Sequence, residues 1–368
     1  MKSSRFVAGT GLLVMTLIAG CAGDSSSGDG NTPPSDLKTF ASHEEIVAAA
    51  QQEGGTFEGL TGMDESVNEH IAKGFMAKYP FIKATVTEQP NDENERTLLE
   101  LQAGQVKFDT LHGGGEGGSY ERYLEFSEKY DLLTMAKNGV LDIPVEAINP
   151  KQPQTMSVGA GIGAVAWNKK LVSESEVPST YEDFLDPKWT GKFMTNIEGT
   201  NLTLLRQVWG KEKAEKYLTD VLANDPIWTD SDTAGLTAMT AGEFPLALGT
   251  NYHSAYRIQL RDPETVGVKV LDPVPVRLTQ VQLIRKGSDN PAQALLYLEY
   301  LMTPEVQGWL DEYEPAQASI FRAGTLTEKL VHGKQIAALD WPIFLEYQDW
   351  ATRTQQLWGF PVGEVKGD

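Results

Sequence analysis

The sequence predicts an α/β protein of two lobes that are joined by hinge crossings. Its 368 residues are about twice the length of a typical domain. Segments that alternate like strands are followed by segments with helical spacing, which is typical of the α/β class. Two extended runs, Thr155–Trp167 and Val266–Arg285, enclose a block with strands and helices of its own. We therefore expect one lobe to be inserted into the other, with the two runs forming the hinge.

The segment before the first crossing has the pattern of a sheet flanked by helices. Alternating apolar residues mark its strands, and apolar residues at helical spacing mark its helices. In the second of these helices, Leu98, Leu99 and Leu101 are expected to face the core. The elements predicted here are strand Thr56–Leu60, helix Glu65–Lys78, strand Lys83–Glu88, helix Asn94–Gly104 and strand Phe108–Leu111.

The block between the crossings repeats this alternation of strands and helices. Its predicted elements are strand Gly191–Thr195, helices Asn201–Trp209 and Lys211–Ala223, and strand Pro245–Gly249. The predicted boundaries are 40–157 with 270–325 for lobe 1, 158–269 for lobe 2, and 326–368 for a C-terminal helical tail. Trp341, Trp350 and Trp358 of the tail are expected to pack against the lobes, because aromatic side chains bury large apolar areas.

The N-terminus has the pattern of an exported protein. Lys2 and Arg5 precede an apolar stretch, Phe6–Gly20, which is shorter than the ~20 residues that a membrane-spanning helix needs. The stretch runs into Cys21, the single cysteine of the chain, and resembles the lipobox of bacterial lipoproteins. We therefore predict a signal peptide over 1–20 and a lipidated Cys21 that anchors the protein to a membrane. The alternative for Cys21 is a buried free thiol.

Residues 21–39 are expected to form a flexible tether. They are rich in Ser, Gly, Asp and Pro, and such a segment cannot bury enough apolar surface to offset the entropy lost on ordering. A tether of this kind would let a folded body move above the membrane that holds its anchor.

Charge and motifs exclude several classes of function. With 31 basic and 51 acidic residues, the formal net charge is -20, which argues against nucleic-acid binding and against electrostatic adhesion to anionic lipid. The sequence contains neither the G-x-S-x-G nor the H-E-x-x-H motif. Its five histidines lie far apart, without metal-ligand spacing. We therefore expect no enzyme activity and no cofactor.

Two loops of lobe 1 are candidate ligand contacts. Ligands of open α/β sheets bind beyond the carboxyl ends of the strands, where helix N-termini offer free N–H groups. The first predicted strand ends in such a loop, and a glycine-dense loop follows strand Phe108–Leu111. The candidate residues are Thr61, Gly62 and Asp64 in the first loop, with Asp64 or Thr61 as helix cap, and His112, Gly113 and Gly114 in the second.

Two loops of lobe 2 occupy corresponding positions, and the second crossing adds one residue. Tyr256 lies one helical turn beyond Tyr252 and can share its face, where both can bond or stack on an organic ligand. The alternative is ordinary packing at the cleft edge. The candidate residues are Glu198, Gly199 and Thr200, with Thr200 or Asn201 as helix cap, then Asn251, Tyr252 and Tyr256, and Gln280 in the crossing.

Several segments resemble the extracellular solute-binding proteins of bacterial ABC importers, in the cluster that binds ferric iron, polyamines, thiamine and phosphonates. They occur in the order typical of that family and cover roughly 54–321. The segments are FDTLHGGG (Phe108–Gly115), GIGAVAWNKKLV (Gly161–Val172), YEDFLDPKWTGKFMT (Tyr181–Thr195) and VQLIRKGSDNPAQALLYLEYLMTPEVQ (Val281–Gln307).

The resemblance implies a periplasmic binding protein type II fold, in which two lobes close on a small molecule or ion. It also implies delivery of that solute to an ABC permease by an exported, periplasmic or extracellular protein that is monomeric. Family members that bind ferric iron have adjacent tyrosines near Tyr252. Here His253 replaces the second tyrosine, so Tyr252 and Tyr256 would be the iron ligands. Ferric iron, a polyamine, a phosphorylated or phosphonate compound and an organic carboxylate all remain open as ligands. An oxyanion-bearing organic ligand is favoured over iron, because two loops offer helix N-termini to the cleft and the paired tyrosine is missing.

Two other functions remain open at this stage. An exported carboxylate-dependent hydrolase could use a similar scaffold, because fold alone does not determine function. A ligand-sensing scaffold lipoprotein is the other alternative.

Overall fold

The computed structural model describes residues 36–89, 93–113, 119–339, 341, 343 and 346–361. The predicted signal peptide, Cys21 and most of the tether lie outside the described residues, and so does Gly114. Within these ranges, no helix is both long and apolar enough to cross a membrane.

Strands alternate with helices along the described chain, which confirms the predicted α/β class. The strands are β1 (Thr56–Thr61), β2 (Lys83–Glu88), β3 (Thr110–His112), β4 (Thr155–Asn168), β5 (Phe193–Asn196), β6 (Ile227–Thr229), β7 (Leu246–Asn251), β8 (Val266–Lys269), β9 (Val274–Ile284) and β10 (Ile336–Leu339). The helices are α1 (His43–Gln52), α2 (Glu65–Lys78), α3 (Asn94–Gln102), α4 (Ser119–Leu124), α5 (Leu132–Lys137), α6 (Thr200–Thr203), α7 (Leu205–Trp209), α8 (Lys211–Ala223), α9 (Asp232–Ala241), α10 (Tyr252–Arg261), α11 (Pro291–Leu301), α12 (Pro304–Tyr313), α13 (Leu326–Val331) and α14 (Tyr347–Trp358).

Lobe 1 has its core between the first strands and helices α1, α2, α11 and α12. β1 and β2 pair in parallel, and the Asp109 amide, just before β3, donates to the Glu58 carbonyl of β1 at 2.7 Å. Val67, Ile71 and Phe75 of α2 are fully buried because their spacing puts them on one face. The helix ends at Lys78, two residues before Pro80, which cannot continue a helix.

The two crossings are neighbouring antiparallel strands. β4 and β9 pair from Thr155↔Leu283 to Ile162↔Val276, with an interruption at Val158 and Gln280. The first half of β4 lies beside the part of β9 that also pairs with β3, so it belongs to the sheet of lobe 1. The second half of β4 pairs with β7 and β8. One strand therefore leads from one lobe into the other, and β9 runs beside it in the opposite direction.

Lobe 2 contains the strands that continue the sheet on the other side of β4. The order β4-β7-β5-β6 is antiparallel at its first pair and parallel at the other two. Phe184 and Phe193 meet edge to face in its core, with ring centroids 5.5 Å apart. A second cluster on this sheet contains Met194, Leu236 and Met239.

The C-terminal segment was predicted to be helical, but the structure places a strand between its two described helices. The short apolar run Ile336–Leu339 forms β10, which pairs in parallel with the start of β9 and extends the crossing sheet. α14 then packs on α6 and α8 of lobe 2, where the Trp358 indole donates to the Leu218 carbonyl at 2.9 Å. Trp341 and Trp358 are buried, as expected of packing residues.

Two predicted elements are divided in the structure, and one predicted core residue is exposed. The single run predicted over Val266–Arg285 is two strands, because the chain turns at Asp272-Pro273 and proline cannot donate to a ladder. The helix predicted over Asn201–Trp209 is divided into α6 and α7. Leu99 is 61% exposed, since it points about 100° away from the buried Leu98 on the helix surface.

Candidate ligand-binding cleft

The loops that follow the strands of both lobes converge beside the crossings. The carboxyl ends of β1 and β3 in lobe 1 meet the part of β9 at Gln280–Gln282. The carboxyl end of β7 in lobe 2 meets β4 at Gly163 and the Arg277 side chain of β9. This is the position where open α/β sheets bind ligands.

The loop after β1 is held in place by hydrogen bonds at each residue. The buried Thr61 hydroxyl donates to the Asn68 side-chain oxygen at 2.8 Å and accepts from the Met63 amide at 3.2 Å. The Gly62 amide donates to the Gln280 side-chain oxygen at 2.9 Å. Asp64 occupies the N-cap position of α2, but neither it nor Thr61 makes the side-chain cap hydrogen bond that was predicted, because both are engaged elsewhere.

His112 lies directly against this loop. A Cβ atom at Gly62 would lie 2.7 Å from His112 Nε2, so glycine is required at this position for close approach. Burial lowers the pKa of His112 to about 4, and the nearby Val281 carbonyl offsets this only in part. The imidazole is therefore neutral at physiological pH. The neighbouring Gly113 amide donates to that Val281 carbonyl at 2.9 Å.

Gln282, which lies two residues beyond Gln280 in the second crossing, is a buried polar residue. It pairs with His112 across β3 and β9 and is fully buried. Neither amide atom has a hydrogen-bond partner among the described residues. An unpaired buried amide is costly, which makes Gln282 a site for a ligand or an ordered water.

Gln280 connects the hinge to the loop after β1. Its backbone has φ 53°, in the left-handed region, which costs a residue other than glycine about 1–2 kcal/mol. Its side chain accepts from the Gly62 amide. A strained conformation in a crossing strand is thus combined with a contact to the predicted ligand loop, which is typical of functional positions.

Asn251 is the centre of a hydrogen-bond network in lobe 2. Its backbone amide and its side-chain amide each donate to Asp232 Oδ2 at 2.8 Å. Its side-chain oxygen accepts from Arg277 and from Asn201, the latter at 3.3 Å. Asp232, Arg277 and Asn201 lie on separate elements, so no spacing in the sequence could indicate that they meet.

Tyr252 and Tyr256 are stacked at the beginning of α10. Their ring centroids are 5.3 Å apart and their planes differ by 28°. Tyr252 is buried against the crossings, and burial raises the pKa of its phenol to about 12. Within the described part of the chain its hydroxyl makes no hydrogen bond. The predicted pair therefore exists as two adjacent phenols on one helical face.

A set of polar residues, the polar edge, connects the lobes beside these tyrosines. Its members are Asp64, Glu314 and Pro315 of lobe 1 and His253 and Arg257 of lobe 2. The Asp64 carboxylate lies 3.7 Å from the Arg257 guanidinium, and His253 Nδ1 lies 3.0 Å from the Pro315 carbonyl oxygen. Glu314 accepts from the Asp64 amide at 2.7 Å. Burial, with the Asp64 and Glu88 carboxylates nearby, raises the pKa of Glu314 to about 7.

The Glu198–Thr200 loop lies next to α14, and Asn201, which follows it, donates to the Asn251 side-chain oxygen. Gly199, with φ 60°, is the residue at the N-cap, in place of the predicted Thr200 or Asn201. A Cβ atom at Gly199 would lie 2.6 Å from the Trp358 ring. The Thr200 carbonyl accepts from the Tyr347 hydroxyl at 3.0 Å, and Glu198 is exposed.

The described residues contain no group of three His, Cys, Asp or Glu side chains that could hold a metal ion.

Comparisons with known proteins show the family. The model of the bacterial extracellular solute-binding protein family matches residues 58–308, more than half of the chain. Iron uptake protein A2 of Synechocystis sp. is 26% identical over 226 residues, which are 54% of this chain and 64% of that protein. Iron uptake protein A1 of the same organism is 26% identical over 164 residues, which are 40% of this chain and 44% of that protein. The matches thus span less than two thirds of these relatives.

Solved structures share the two-lobe architecture. Iron-bound HitA from Pseudomonas aeruginosa superposes with a TM-score of 0.60 at 19% identity, covering 83% of this chain and 100% of HitA. Trichodesmium IdiA (FutA) in complex with iron and citrate superposes with a TM-score of 0.61 at 20% identity, covering 82% and 98%. The ferric binding protein from Campylobacter jejuni has a TM-score of 0.62 at 17% identity, covering 83% and 100%. At these identities the likeness establishes the fold, and it confirms the predicted two-lobe architecture.

The predicted family, whose members bind solutes and are not enzymes, is confirmed by the family match. The strand-end loops, the hinge crossings and this match together show that the chain belongs to the bacterial extracellular solute-binding proteins.

Proposed function

We propose that this protein captures ferric iron together with a small oxyanion chelator, such as a hydroxycarboxylate, and delivers it to an ABC permease. In this proposal the protein is exported and held at the membrane by lipid on Cys21. The observation that supports iron most directly is the Tyr252 phenol. It lies at the start of α10, beside the crossings, and forms no hydrogen bond within the described residues.

Phenolate is a hard oxygen donor that suits a hard cation. Without a metal, the pKa of Tyr252 is about 12, so the phenol keeps its proton at neutral pH. A bound trivalent cation reverses this balance, because its charge favours the deprotonated ligand. Tyr256 stacks beside Tyr252 and is the second available phenol. The similarity to iron uptake proteins A1 and A2 of Synechocystis sp. and to iron-bound HitA supports the same metal.

The need for a chelator follows from the small number of protein donors. His253, which replaces a second adjacent tyrosine, has one ring nitrogen 3.0 Å from the Pro315 carbonyl and the other 3.5 Å from Arg257. Two phenols leave most coordination positions of the metal unfilled, so the remaining oxygens must come from the solute. The buried amide of Gln282 can donate a hydrogen bond to such an oxyanion.

A metal-free phosphorylated solute is the second candidate. The same unpaired Gln282 amide supports it, because a phosphate oxygen would satisfy the Nε2 donor. Actinobacillus pleuropneumoniae AfuA with fructose-6-phosphate, one of the similar structures, has a TM-score of 0.53.

A titration of the soluble protein from residue 22 onward separates the two candidates. Ferric citrate, citrate alone and a hexose phosphate are added separately, with binding followed by calorimetry and by the visible phenolate-to-iron charge-transfer band. We expect binding and a band with ferric citrate only, and loss of the band in Tyr252→Phe. Tyr313→Phe is the control, because Tyr313 stacks on His70 in lobe 1. Binding of the hexose phosphate without any response to ferric citrate would establish the second candidate.

The lipid anchor is tested by expressing the full chain in a bacterium fed with a labelled fatty acid. We expect label on the wild-type protein and none on the Cys21→Ser variant. The variant should also be absent from the membrane fraction of the cells. Equal labelling of both proteins would contradict the anchor.

A further inference from the structure

A groove on the surface of lobe 1 lies between α12 and the loop that leads to α13. It has a volume of about 300 Å³, and no described candidate residue of the cleft lines it. One face of α12 forms one wall, and the loop adds a charged side chain to the other. We call it the α12 groove, and the lining residues that bear on its chemistry are Gln307, Gly308, Asp311 and Arg322.

The groove is on the side of α12 that turns away from α2. Trp309, on the other side, lies so close to α2 that a Cβ atom at Gly74 would be 2.6 Å from its ring. A Cβ atom at Gly308, in the middle of α12, would meet no neighbouring atom within 4 Å. Glycine inside a helix is less stable than alanine, so this position lowers helix stability and leaves the groove open along the backbone.

Asp311 uses only one of its two carboxylate oxygens. Its Oδ2 atom accepts from the Leu326 amide at the beginning of α13, at 2.7 Å. Its Oδ1 atom is buried and has no hydrogen-bond partner in the described part of the chain. Burial raises the pKa of Asp311, and the Leu326 amide and the Lys329 ammonium offset this only in part. A buried carboxylate oxygen without a partner is costly, so a donor that enters the groove is favoured beside it.

Arg322 carries the opposite charge and is also only partly engaged. Its Nη2 atom donates to the Asp142 carbonyl at 2.6 Å and lies 3.4 Å from the Asp142 carboxylate. Its Nε atom is buried and has no hydrogen-bond partner among the described residues. Within the same ranges no ion pair joins Arg322 to Asp311. The guanidinium therefore still has a donor for an oxyanion.

The two charges together favour a ligand that carries both an ammonium and a carboxylate group. An anion alone would leave Asp311 Oδ1 unpaired, and a cation alone would leave Arg322 Nε unpaired. A neutral amide could bond to both atoms, but charge-assisted hydrogen bonds are about twice as strong as neutral ones. Both side chains are partly exposed, so a rotamer change of their terminal groups can turn these atoms towards a ligand. A free α-amino acid has both charged groups on one carbon atom.

The buried floor of the groove is connected to the first crossing. The Gln307 side chain donates to the Val158 carbonyl of β4 at 3.2 Å and accepts from the Ser319 amide at 2.7 Å. Val158 lies where the pairing of β4 and β9 is interrupted. A ligand that immobilises Gln307 is therefore expected to slow opening of the hydrogen bond that the Ser319 amide makes.

We propose that the α12 groove is a second ligand site, which binds a small zwitterion of the α-amino acid class with its ammonium on Asp311 and its carboxylate on Arg322. Gly308 leaves the space in which the ligand lies against the helix. The family model ends at 308, so both charged residues lie outside the part of the chain that it matches. The site is separate from the cleft and does not depend on which solute binds there.

Calorimetry with free and blocked amino acids tests this site. The soluble protein from residue 22 onward is titrated with glycine, serine, glutamine and leucine, and then with their N-acetylated amides, which lack both charges. We expect saturable binding of free forms and none of the blocked forms. Asp311→Asn keeps an oxygen for the Leu326 amide but loses the charge, and Arg322→Gln removes the guanidinium. Each variant should bind about tenfold more weakly or worse, because a hydrogen bond to a charged group is lost.

Gly308→Leu fills the groove and leaves both charged residues in place. Leucine is a better helix former than glycine, so this variant keeps the proposal testable even if a charge variant does not fold. Glu312→Gln is the matched control, because Glu312 is exposed on the same helix and does not line the groove. We expect loss of binding in Gly308→Leu and unchanged binding in Glu312→Gln.

Hydrogen exchange then locates the bound amino acid. We expect slower exchange at the amides of Ser319 and Leu326, and no change at the Gly62 amide of the cleft. The proposal is wrong if none of the free amino acids binds, if Gly308→Leu binds like the wild-type protein, or if protection appears at Gly62 instead. Equal binding of the free and blocked forms would overturn it too, since the groove would then recognise a peptide group. Ferric citrate enters none of these measurements, so the iron proposal and this site can fail independently.

Discussion

The Asp64 carboxylate of lobe 1 lies 3.7 Å from the Arg257 guanidinium of lobe 2, and each side chain is about half exposed. An ion pair at this level of exposure contributes about 0.2–1 kcal/mol. It is too weak to hold the lobes together permanently, but it can bias the balance between open and closed forms, because a change of about 1.4 kcal/mol is a tenfold change in an equilibrium.

Arg257→Gln is expected to leave the melting temperature nearly unchanged and to speed release of the bound solute by up to about fivefold. The reason is that the pair forms only when the lobes are closed, so its loss affects closure and not folding. Stopped-flow release at low and high salt measures the effect, and salt should reduce the difference from wild type. Arg261→Gln, on the same helix, is the control. Equal effects of both substitutions would mean that general charge is responsible.

Glu314 is expected to make stability depend on pH. Its folded-state pKa is raised from 4.5 to about 7, so the protonated form is favoured by folding. The contribution is therefore fully present below pH 4.5 and is lost as pH rises to about 7, with an upper limit of roughly 3 kcal/mol. Glu314→Gln keeps a side-chain oxygen for the Asp64 amide and has no charge to bury. Denaturant unfolding between about pH 5 and pH 8 should show a smaller loss of stability in the variant.

Parallel curves for wild type and Glu314→Gln would contradict this assignment. The other groups near this carboxyl are Asp64, Glu88, Arg257 and His253. Both proteins contain these groups, so subtracting one stability curve from the other cancels the contribution that they share.

Gly199→Ala is expected to destabilise the protein by roughly 2–5 kcal/mol. The substitution adds left-handed strain at φ 60° and forces a Cβ atom to within 2.6 Å of Trp358. Gly242→Ala is the matched control, because Gly242 is also left-handed but no atom lies within 4 Å of the position that its Cβ atom would take. It should cost only about 1–2 kcal/mol. Calorimetric melting measures both variants, and equal shifts would show that α14 moves away without cost.

Gln280→Gly and Asp225→Gly separate the strain at Gln280 from its hydrogen bond. Both residues have a positive φ, 53° and 51°, and Asp225 is exposed. Asp225→Gly should stabilise the protein by up to about 1 kcal/mol, whereas Gln280→Gly also loses the bond to the Gly62 amide and should give no net gain. Hydrogen exchange at Gly62 should accelerate only in Gln280→Gly. Faster exchange in both variants would contradict the assigned contact.

Leu98→Ala and Leu99→Ala test the orientation of α3. Leu98 is fully buried and Leu99 is 61% exposed. Truncation of Leu98 should cost about 2–5 kcal/mol, and truncation of Leu99 less than about 0.5 kcal/mol. Urea unfolding of both variants measures this difference, and a large loss for Leu99→Ala would show that the predicted inward orientation was correct.

Local patterns were sufficient to predict much of the fold. α2 and β2 have the predicted bounds, because apolar spacing and Pro80 define them within a few residues of sequence. Leu99 was assigned to the core incorrectly because three leucines in four positions do not show which one faces outwards. β10 was missed because a four-residue strand depends on its partner in β9, which lies about sixty residues earlier in the chain.

The candidate site was predicted less completely, because its contacts connect distant positions. Thr61, Gly62 and His112 were selected through the rule that ligands bind at strand ends, and the structure brings them together with Gln280. Asp232 and Glu314 were missed. Asp232 contacts Asn251 and Glu314 contacts the Asp64 amide only in the folded protein, because the partners are far apart in sequence. Acidic residues are also too common in this chain for sequence alone to distinguish these two. For the same reason, no local pattern could indicate that α14 covers Gly199.

The antiparallel pairing of the crossings has a consequence for the order of folding. Ser157 and Thr279 are joined across them although they are 122 residues apart in sequence. Lobe 1 cannot complete its sheet until nearly three hundred residues have emerged, whereas the enclosed lobe 2 strands β5, β6 and β7 are much closer together. Such distant contacts form slowly, because a long loop must close first.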